Sequence, residues 1–366
     1  MNSQVITDVS QITLEWINSV LFDDNSTLTT RVEDFAIAPA ECGGNSDNAI
    51  IQLKYQSQTL ESLPKSLFLK ICAGENNLFG NSEVNYYIRD YINLANRPIP
   101  TCYQAQYDEK TRQYHILMED LSVSHRSNRK IQPTLAYGCA VAQSLALLHA
   151  HFWGTEKLQS LNASIPYKTE IERYVAQAQL GLVPMLEELK TEIDSSWKFV
   201  LIDVFQYHPA KMSDVYDGLR LRTVDSSGFT LIHGDLNPGN ILSPLNGNGK
   251  TYLIDRQPFD WSLTTWLGVS DLAYMIVHWW ETDLRRQWEI PILSEYHTSL
   301  ISNGISDYSW EQLINDYQLC VVQSIYVATQ WCASAEGVRQ MKWLWFQQLQ
   351  KSIVAFFDWQ CFELWA

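Results

Sequence analysis

The chain has 366 residues, 46% hydrophobic and 18% charged, which suits one large domain or two lobes around a real core and excludes a disordered protein. A formal net charge of -15 argues against a nucleic-acid partner, because a phosphate backbone is bound through a basic footprint. Seven scattered cysteines (42, 72, 102, 139, 320, 332 and 361) contain no C-x-x-C pair, so they suggest neither a zinc site nor a disulfide framework.

The first residues, "MNSQVITDVSQITLEW", lack the basic stretch and apolar run of a signal peptide. No window approaches the 18 or more uninterrupted apolar residues of a membrane span. The expected setting is cytoplasmic, with reduced thiols and no membrane partner. "FAIAPA" (35–40), "NAIIQLKYQ" (48–56) and "SLFLKICA" (66–73) then read as short strands, broken by "ECGGNSD" and "SQTLESLPK". The period changes in "NSEVNYYIRDYINLAN" (81–96), where Val84, Tyr87, Ile88, Tyr91 and Leu94 fall at helical spacing and "RPIP" ends the segment. "TCYQAQY" and "YHILMED" resemble a further strand pair around the turn "DEKTRQ".

After residue 130 the texture is mainly helical. "PTLAYGCAVAQSLALLHAHFW" (133–153) opens with a proline suited to a first helical turn, and Leu135, Cys139, Ala142, Leu145 and His149 follow at helical spacing. "LIHGDLNPGNIL" (231–242) and "TYLID" (251–255) come next, then a long helical remainder rich in tryptophan. The predicted architecture is α+β: a β-rich lobe over 1–120 containing one helix, and a larger, mainly helical lobe over 121–366. The boundary is expected near 119–125.

"LIHGDLNPGNIL" sets a polar knot between two apolar runs, a pattern that an ordinary turn between buried strands also produces. Its spacing with the next strand separates the two readings. Asp235 and Asn240 are five residues apart, and Asp255 ends the apolar strand twenty residues beyond Asp235. Kinases need one carboxylate to accept the proton of the attacking hydroxyl, and an asparagine and a second aspartate to hold Mg²⁺ on the phosphates. Oxygen ligands are what this hard cation requires.

"HGDLNPGN" followed by "LIDRQ" resembles the aminoglycoside phosphotransferase and choline kinase superfamily, whose members share the protein-kinase-like fold. The layout is closest to the ecdysteroid-kinase-like branch. The resemblance covers roughly residues 30–280. It implies a bilobal protein-kinase-like fold, with the N-terminal lobe binding nucleotide and the C-terminal lobe carrying the catalytic loop and acceptor site. It also implies ATP and Mg²⁺ as cofactors, Asp235 as catalytic base, and Asn240 and Asp255 as metal ligands. His233 would brace the loop, and Asp271 in "GVSDLA" would support it from below.

The same scheme needs a strand lysine on the nucleotide phosphates, paired with a helix glutamate. Lys70 in "SLFLKIC" and Glu83 in "SEVNYY" lie where that pair belongs. Plainer readings exist for both: a strand-end lysine with its head in water, and a carboxylate favouring a helix N-terminus. In "ECGGNSDNA", Gly43, Gly44, Asn45 and Ser46 could present backbone N–H groups to phosphate, although a plain hairpin turn has the same composition. Glu119 and Leu121 in "LMEDL" are candidates for the adenine edge by position alone.

Arg256 follows the metal aspartate where an aromatic residue or a glycine is commoner in the superfamily; contact with phosphate, pairing with Asp260 and mere packing all stay open. His149 and His151 stand at i, i+2 on a helix, so they point apart, and packing under the loop is preferred to a metal site. Eleven of the 14 tryptophans lie at or beyond Trp261. Most must be core, while Trp279, Trp280 or Trp331 could line a pocket for an aromatic or cationic alcohol. The expected activity is an ATP-dependent kinase acting on a hydroxyl of a small molecule. A non-catalytic nucleotide-binding protein of the same fold is the alternative, and a protein kinase is disfavoured by H-G-D and by the lack of an A-P-E segment.

Overall fold

A computed structural model describes residues 4–22, 30–40, 46–56, 63–72, 80–161, 163–190, 193, 195–206, 228–256, 258 and 262–365. The chain divides into two compact units, one comprising Met1–Arg126 with Leu242–Asp260, the other Ser127–Ile241 with Trp261–Ala366.

The first unit is organised by a five-stranded antiparallel sheet. Its strands are β1 (Val32–Pro39), β2 (Asp47–Tyr55), β3 (Ser66–Cys72), β4 (Cys102–Tyr107) and β5 (Tyr114–Glu119), in the order β1-β2-β3-β5-β4. Strand β3 is central; Leu67, Leu69 and Ile71 share one covered face, and Lys70 and Cys72 are buried on the other, where Phe68 is only partly covered. Helix α1 (Leu14–Leu21) puts Trp16 and Ile17 into the same core as Ile51, Leu67, Leu69, Ile71 and Leu117. The expectation of a single helix in this region missed α1. That helix is only eight residues long, behind a Thr13 cap whose Oγ1 accepts the Trp16 N–H at 3.1 Å.

Helix α2 (Ser82–Asn85) continues directly into a π-helical turn, Tyr86–Asp90. A uniform 3.6-residue period over 81–96 placed Ile88 inside, whereas Ile88 is 43% exposed. The wider turn instead buries Tyr86, Tyr87, Asp90 and Tyr91. π-turns of this kind recur at functional sites because they re-aim side chains. A second, three-stranded sheet runs β6 (His125–Ser127), β8 (Ile241–Pro244) and β9 (Tyr252–Leu253), and the Leu253 N–H donates to Pro98 O at 2.9 Å.

The second unit is helical. Helix α3 (Leu135–His151) is capped by Thr134, so Pro133 sits just outside the helix and not in its first turn. It is followed by α4 (Thr155–Gln159), α5 (Lys168–Leu189) and α6 (195–206). A short ribbon pairs β7 (Phe229–Leu231) with β10 (Thr265–Leu267). Then come α7 (Val269–Trp279), α8 (Thr282–Ser302), α9 (Trp310–Gln330), α10 (Ala335–Gln340) and α11 (Lys342–Asp358). Helix α9 packs against α5, α7 and α11 and buries Leu313, Tyr317, Val321, Val322 and Ile325. The approach of α5 to α9 depends on Gly181, where a Cβ would lie 1.9 Å from the Thr329 carbonyl oxygen. Trp280 and Trp345 are fully buried core residues, whereas Trp343 is 64% exposed. No helix among the described residues is long and apolar enough to cross a membrane.

Candidate functional site

In the first unit the central strand carries a buried ammonium. Lys70 is 7% exposed, and its Nζ donates to Glu83 Oε1 and Oε2 at 2.8 and 2.9 Å and to Asp255 Oδ1. Glu83, 1% exposed on α2, also accepts the Tyr114 hydroxyl at 2.6 Å. Burial by itself would lower the Lys70 ammonium, but the Asp255 and Glu83 carboxylates outweigh it and keep the lysine charged well above neutrality. Burial pushes the Glu83 carboxyl up, to about 7, while Lys70 pulls against that rise. Because a buried charge is tolerated only when paired, the strand-end reading of Lys70 and the helix-terminus reading of Glu83 do not account for this geometry.

Asp255 adopts φ +64°, a left-handed conformation that aspartate tolerates better than most residues. Its side chain remains 34% exposed. Arg256 is 3% exposed and donates from Nη1 to Ser82 Oγ at 2.7 Å. Ser46 bonds its hydroxyl to Asn48 Oδ1 at 3.1 Å. Gly43, Gly44 and Asn45, like Asp260, lie outside the described residues. Glu119 exchanges bonds with Thr101: its N–H donates to Thr101 O at 2.9 Å, and its Oε1 accepts the Thr101 N–H at 2.6 Å. The Leu121 carbonyl accepts from the N–H groups of Ser124 and His125 at 3.0 and 2.8 Å, closing a turn that leaves the Leu121 N–H unused by these bonds.

In the second unit the loop 232–240 folds on itself around Asp235. Gly234 takes φ +81°, which glycine alone adopts without strain. Leu236 is fully buried and anchors the loop. Asn237 Nδ2 donates to both Asp235 carboxylate oxygens at 3.1 Å, and the Asn237 Oδ1 accepts the Gly239 N–H at 2.8 Å. Asn240 Nδ2 donates to Asp235 O at 2.8 Å and to Oδ2 at 3.0 Å. The Tyr274 hydroxyl completes the set, donating to Oδ1 at 3.1 Å. Asp235 is thus oriented by three side chains and stays partly exposed.

Beneath the loop, Asp271 accepts the His233 N–H at 2.7 Å and the Gly234 N–H at 2.9 Å. His149 Nε2 lies 3.1 Å from the same carboxylate, and its Nδ1 is 2.7 Å from the Tyr296 hydroxyl. Burial alone would raise Asp271; the His149 contact, His233 and the Gly234 N–H outweigh it and hold the carboxyl below its usual range. His149 is therefore a buried partner of Asp271, while His151 packs its ring edgewise on Phe152. No group of three His, Cys, Asp or Glu able to hold a metal occurs among the described residues.

Sequence reasoning did not single out Tyr274, Tyr114 or Tyr86, and named Tyr87 only for its helical spacing. Tyr274 carried a signal: it stands three residues after Asp271 on one helix and so shares its face. Of the tryptophans proposed for a pocket wall, Trp280 is core, packed on Tyr137 and Trp288. Trp279 is half-buried.

Solved structures share this fold. The choline kinase of Cryptosporidium parvum superposes with a TM-score of 0.50 at 13% identity, covering 89% of this chain and 91% of that one. The Plasmodium vivax ethanolamine kinase gives 0.50 at 15% identity, covering 93% and 86%. The GDP and kanamycin complex of APH(2″)-IIIa gives 0.50 at 13% identity, covering 94% and 99%. These likenesses define a protein-kinase-like α+β fold. Residues 83–304, more than half of the chain, match the ecdysteroid kinase-like family, and the chain belongs to that family. No curated protein matches it.

Proposed function

We propose that this chain is an ATP- and Mg²⁺-dependent phosphotransferase that moves the γ-phosphoryl group onto a hydroxyl of a small molecule. The observation that carries the proposal is the Lys70–Glu83–Asp255 set, in which one buried and one partly exposed carboxylate converge on a buried ammonium. Family membership and fold give it context.

In this reading the first unit binds nucleotide. Lys70, fixed by Glu83, meets the α- and β-phosphates as a point charge. The Leu121 N–H, with Glu119 beside it, faces adenine, and Gly43, Gly44, Asn45 and Ser46 cover the phosphates. Asp255 and Asn240 supply the oxygen donors that suit Mg²⁺. This cation needs few protein ligands, since it usually completes its octahedron with phosphate oxygens and water. When bound, the ion would neutralise charge building on the phosphates. Asp235 in the second unit accepts the proton of the acceptor hydroxyl. Asn237, Asn240 and Tyr274 hold its carboxylate in one orientation, which keeps the reacting pair aligned without reorganisation.

The acceptor is a small-molecule alcohol, and the half-buried Trp279 ring suits an aromatic one by stacking or a cationic one over its face. The proposed setting is cytoplasmic, with no nucleic-acid or membrane partner. Calorimetric titration with ATP and Mg²⁺, followed by ADP release across a library of alcohols, tests the proposal. Acceptor-dependent ADP release is expected. Tight ATP binding with no such release from any alcohol would favour a non-catalytic nucleotide-binding protein.

A further inference from the structure

Within the first unit, helix α2 and its π-turn hold the segment 253–256 at three residues, Leu253, Asp255 and Arg256. The Tyr86 hydroxyl donates to Leu253 O at 2.9 Å, and the Asp255 N–H points to the Tyr87 hydroxyl at 3.5 Å. Lys70 joins Glu83 of the helix to the Asp255 carboxylate. Arg256 then closes the grip on Ser82, the first residue of α2. The left-handed Asp255 sits in the middle, a conformation that persists only when its surroundings hold it.

The almost fully buried Arg256 guanidinium is costly to desolvate. Its place beside the start of a helix also opposes the helix dipole, so helix stability does not explain it. What the contact does is tie the residue after Asp255 to the residue before Glu83. We propose that Arg256 is a positioning residue: through Ser82 it locks the strand end carrying Asp255 and the helix carrying Glu83 into one body, and so aims the Asp255 carboxylate at the nucleotide-bound cation. This inference rests on the phosphotransferase reading above. It gives the unusual residue after the metal aspartate a task that an aromatic residue or a glycine at that position would leave to other contacts.

The test uses full-length wild type and the variants Arg256→Met, Arg256→Lys, Ser82→Ala and Ser82→Ala/Arg256→Met. ATP is titrated calorimetrically with Mg²⁺ and again with EDTA, and the thermal midpoint is read without nucleotide. Arg256→Met is expected to weaken Mg²⁺-dependent ATP binding about tenfold while metal-free ATP affinity stays within roughly twofold. Ser82→Ala should lose about threefold in the same arm, and the double variant should be no worse than Arg256→Met, because the two residues act as one contact. Arg256→Lys should recover part of the loss. A purely structural role would lower the thermal midpoint and both ATP affinities together. That result would overturn the inference, as would independent, additive losses in the double variant. Should Arg256→Met fail to fold, Ser82→Ala decides: wild-type Mg²⁺-dependent affinity in that variant would also overturn it. Failure of the wild type itself to bind ATP with Mg²⁺ would instead overturn the phosphotransferase reading on which it stands.

Discussion

Acid should destabilise the first unit through His115, and the size of the effect follows from its surroundings. The ring is fully buried; its Nδ1 accepts the Ile6 N–H at 3.0 Å, and its Nε2 lies 3.0 Å from Gln104 Oε1. That pattern requires the neutral tautomer with the proton on Nε2, and a second proton would face the Ile6 N–H donor to donor. Burial lowers the imidazole from 6.5 to about 4. The folded chain therefore holds fewer protons than the unfolded chain between these values. Its stability is full above pH 6.5 and is lost as the pH falls toward 4. At about 1.4 kcal/mol per unit, the loss is roughly 2 kcal/mol at pH 5 and about 3 kcal/mol at the lower end. The assay is urea unfolding by circular dichroism at pH 7 and pH 5, comparing wild type with His115→Gln. The variant should be weaker at pH 7 and should fall less between the two values, by about 2 kcal/mol. An identical fall in both proteins would refute the assignment of this proton to His115.

Other consequences concern packing, the loop and the buried lysine. Arg285, fully buried in α8, donates to Glu289 at 2.9 and 3.1 Å and to Asp358, so Arg285→Met strands a buried carboxylate. It should cost about 3–5 kcal/mol in chemical denaturation, whereas Arg286→Met, on a half-exposed partner of Asp358, should cost no more than about 1 kcal/mol. Gly234→Ala forces a methyl into a left-handed position and should lower stability by about 1–2 kcal/mol while reducing turnover far more, as read by paired thermal and ADP-release assays. Glu83→Gln keeps the shape but removes a charge from Lys70; ATP affinity is expected to drop about tenfold, checked by calorimetry.

The strands were legible because their apolar runs are short and bounded by polar or glycine-rich turns; the ranges of β2 and β3 differ from the reading by a residue at most ends. That Lys70 and Glu83 would meet was legible too, since a lysine inside a fully apolar strand demands a partner and the next helix offers one. The π-turn was not, because a period of 3.6 is assumed wherever a helix is read, and Tyr86–Asp90 departs from it. Arg256 was ambiguous for a different reason. Contact with phosphate, pairing with Asp260 and packing were all open to it, and the bond to Ser82, which only the tertiary approach of α2 creates, was not among them. The return of Leu242–Asp260 to the first unit also escaped the sequence, since strands of two or four residues carry almost no periodic signal.

The central claim is that Asp235 takes a proton from an acceptor hydroxyl during phosphoryl transfer. Its most direct test is steady-state ADP release over an alcohol library, run with wild type and Asp235→Ala beside ATP titrations of both proteins. The account predicts that one acceptor class stimulates the wild type, and that Asp235→Ala loses about 100- to 10,000-fold in turnover while binding ATP nearly as well. Full acceptor-dependent turnover in Asp235→Ala would contradict it.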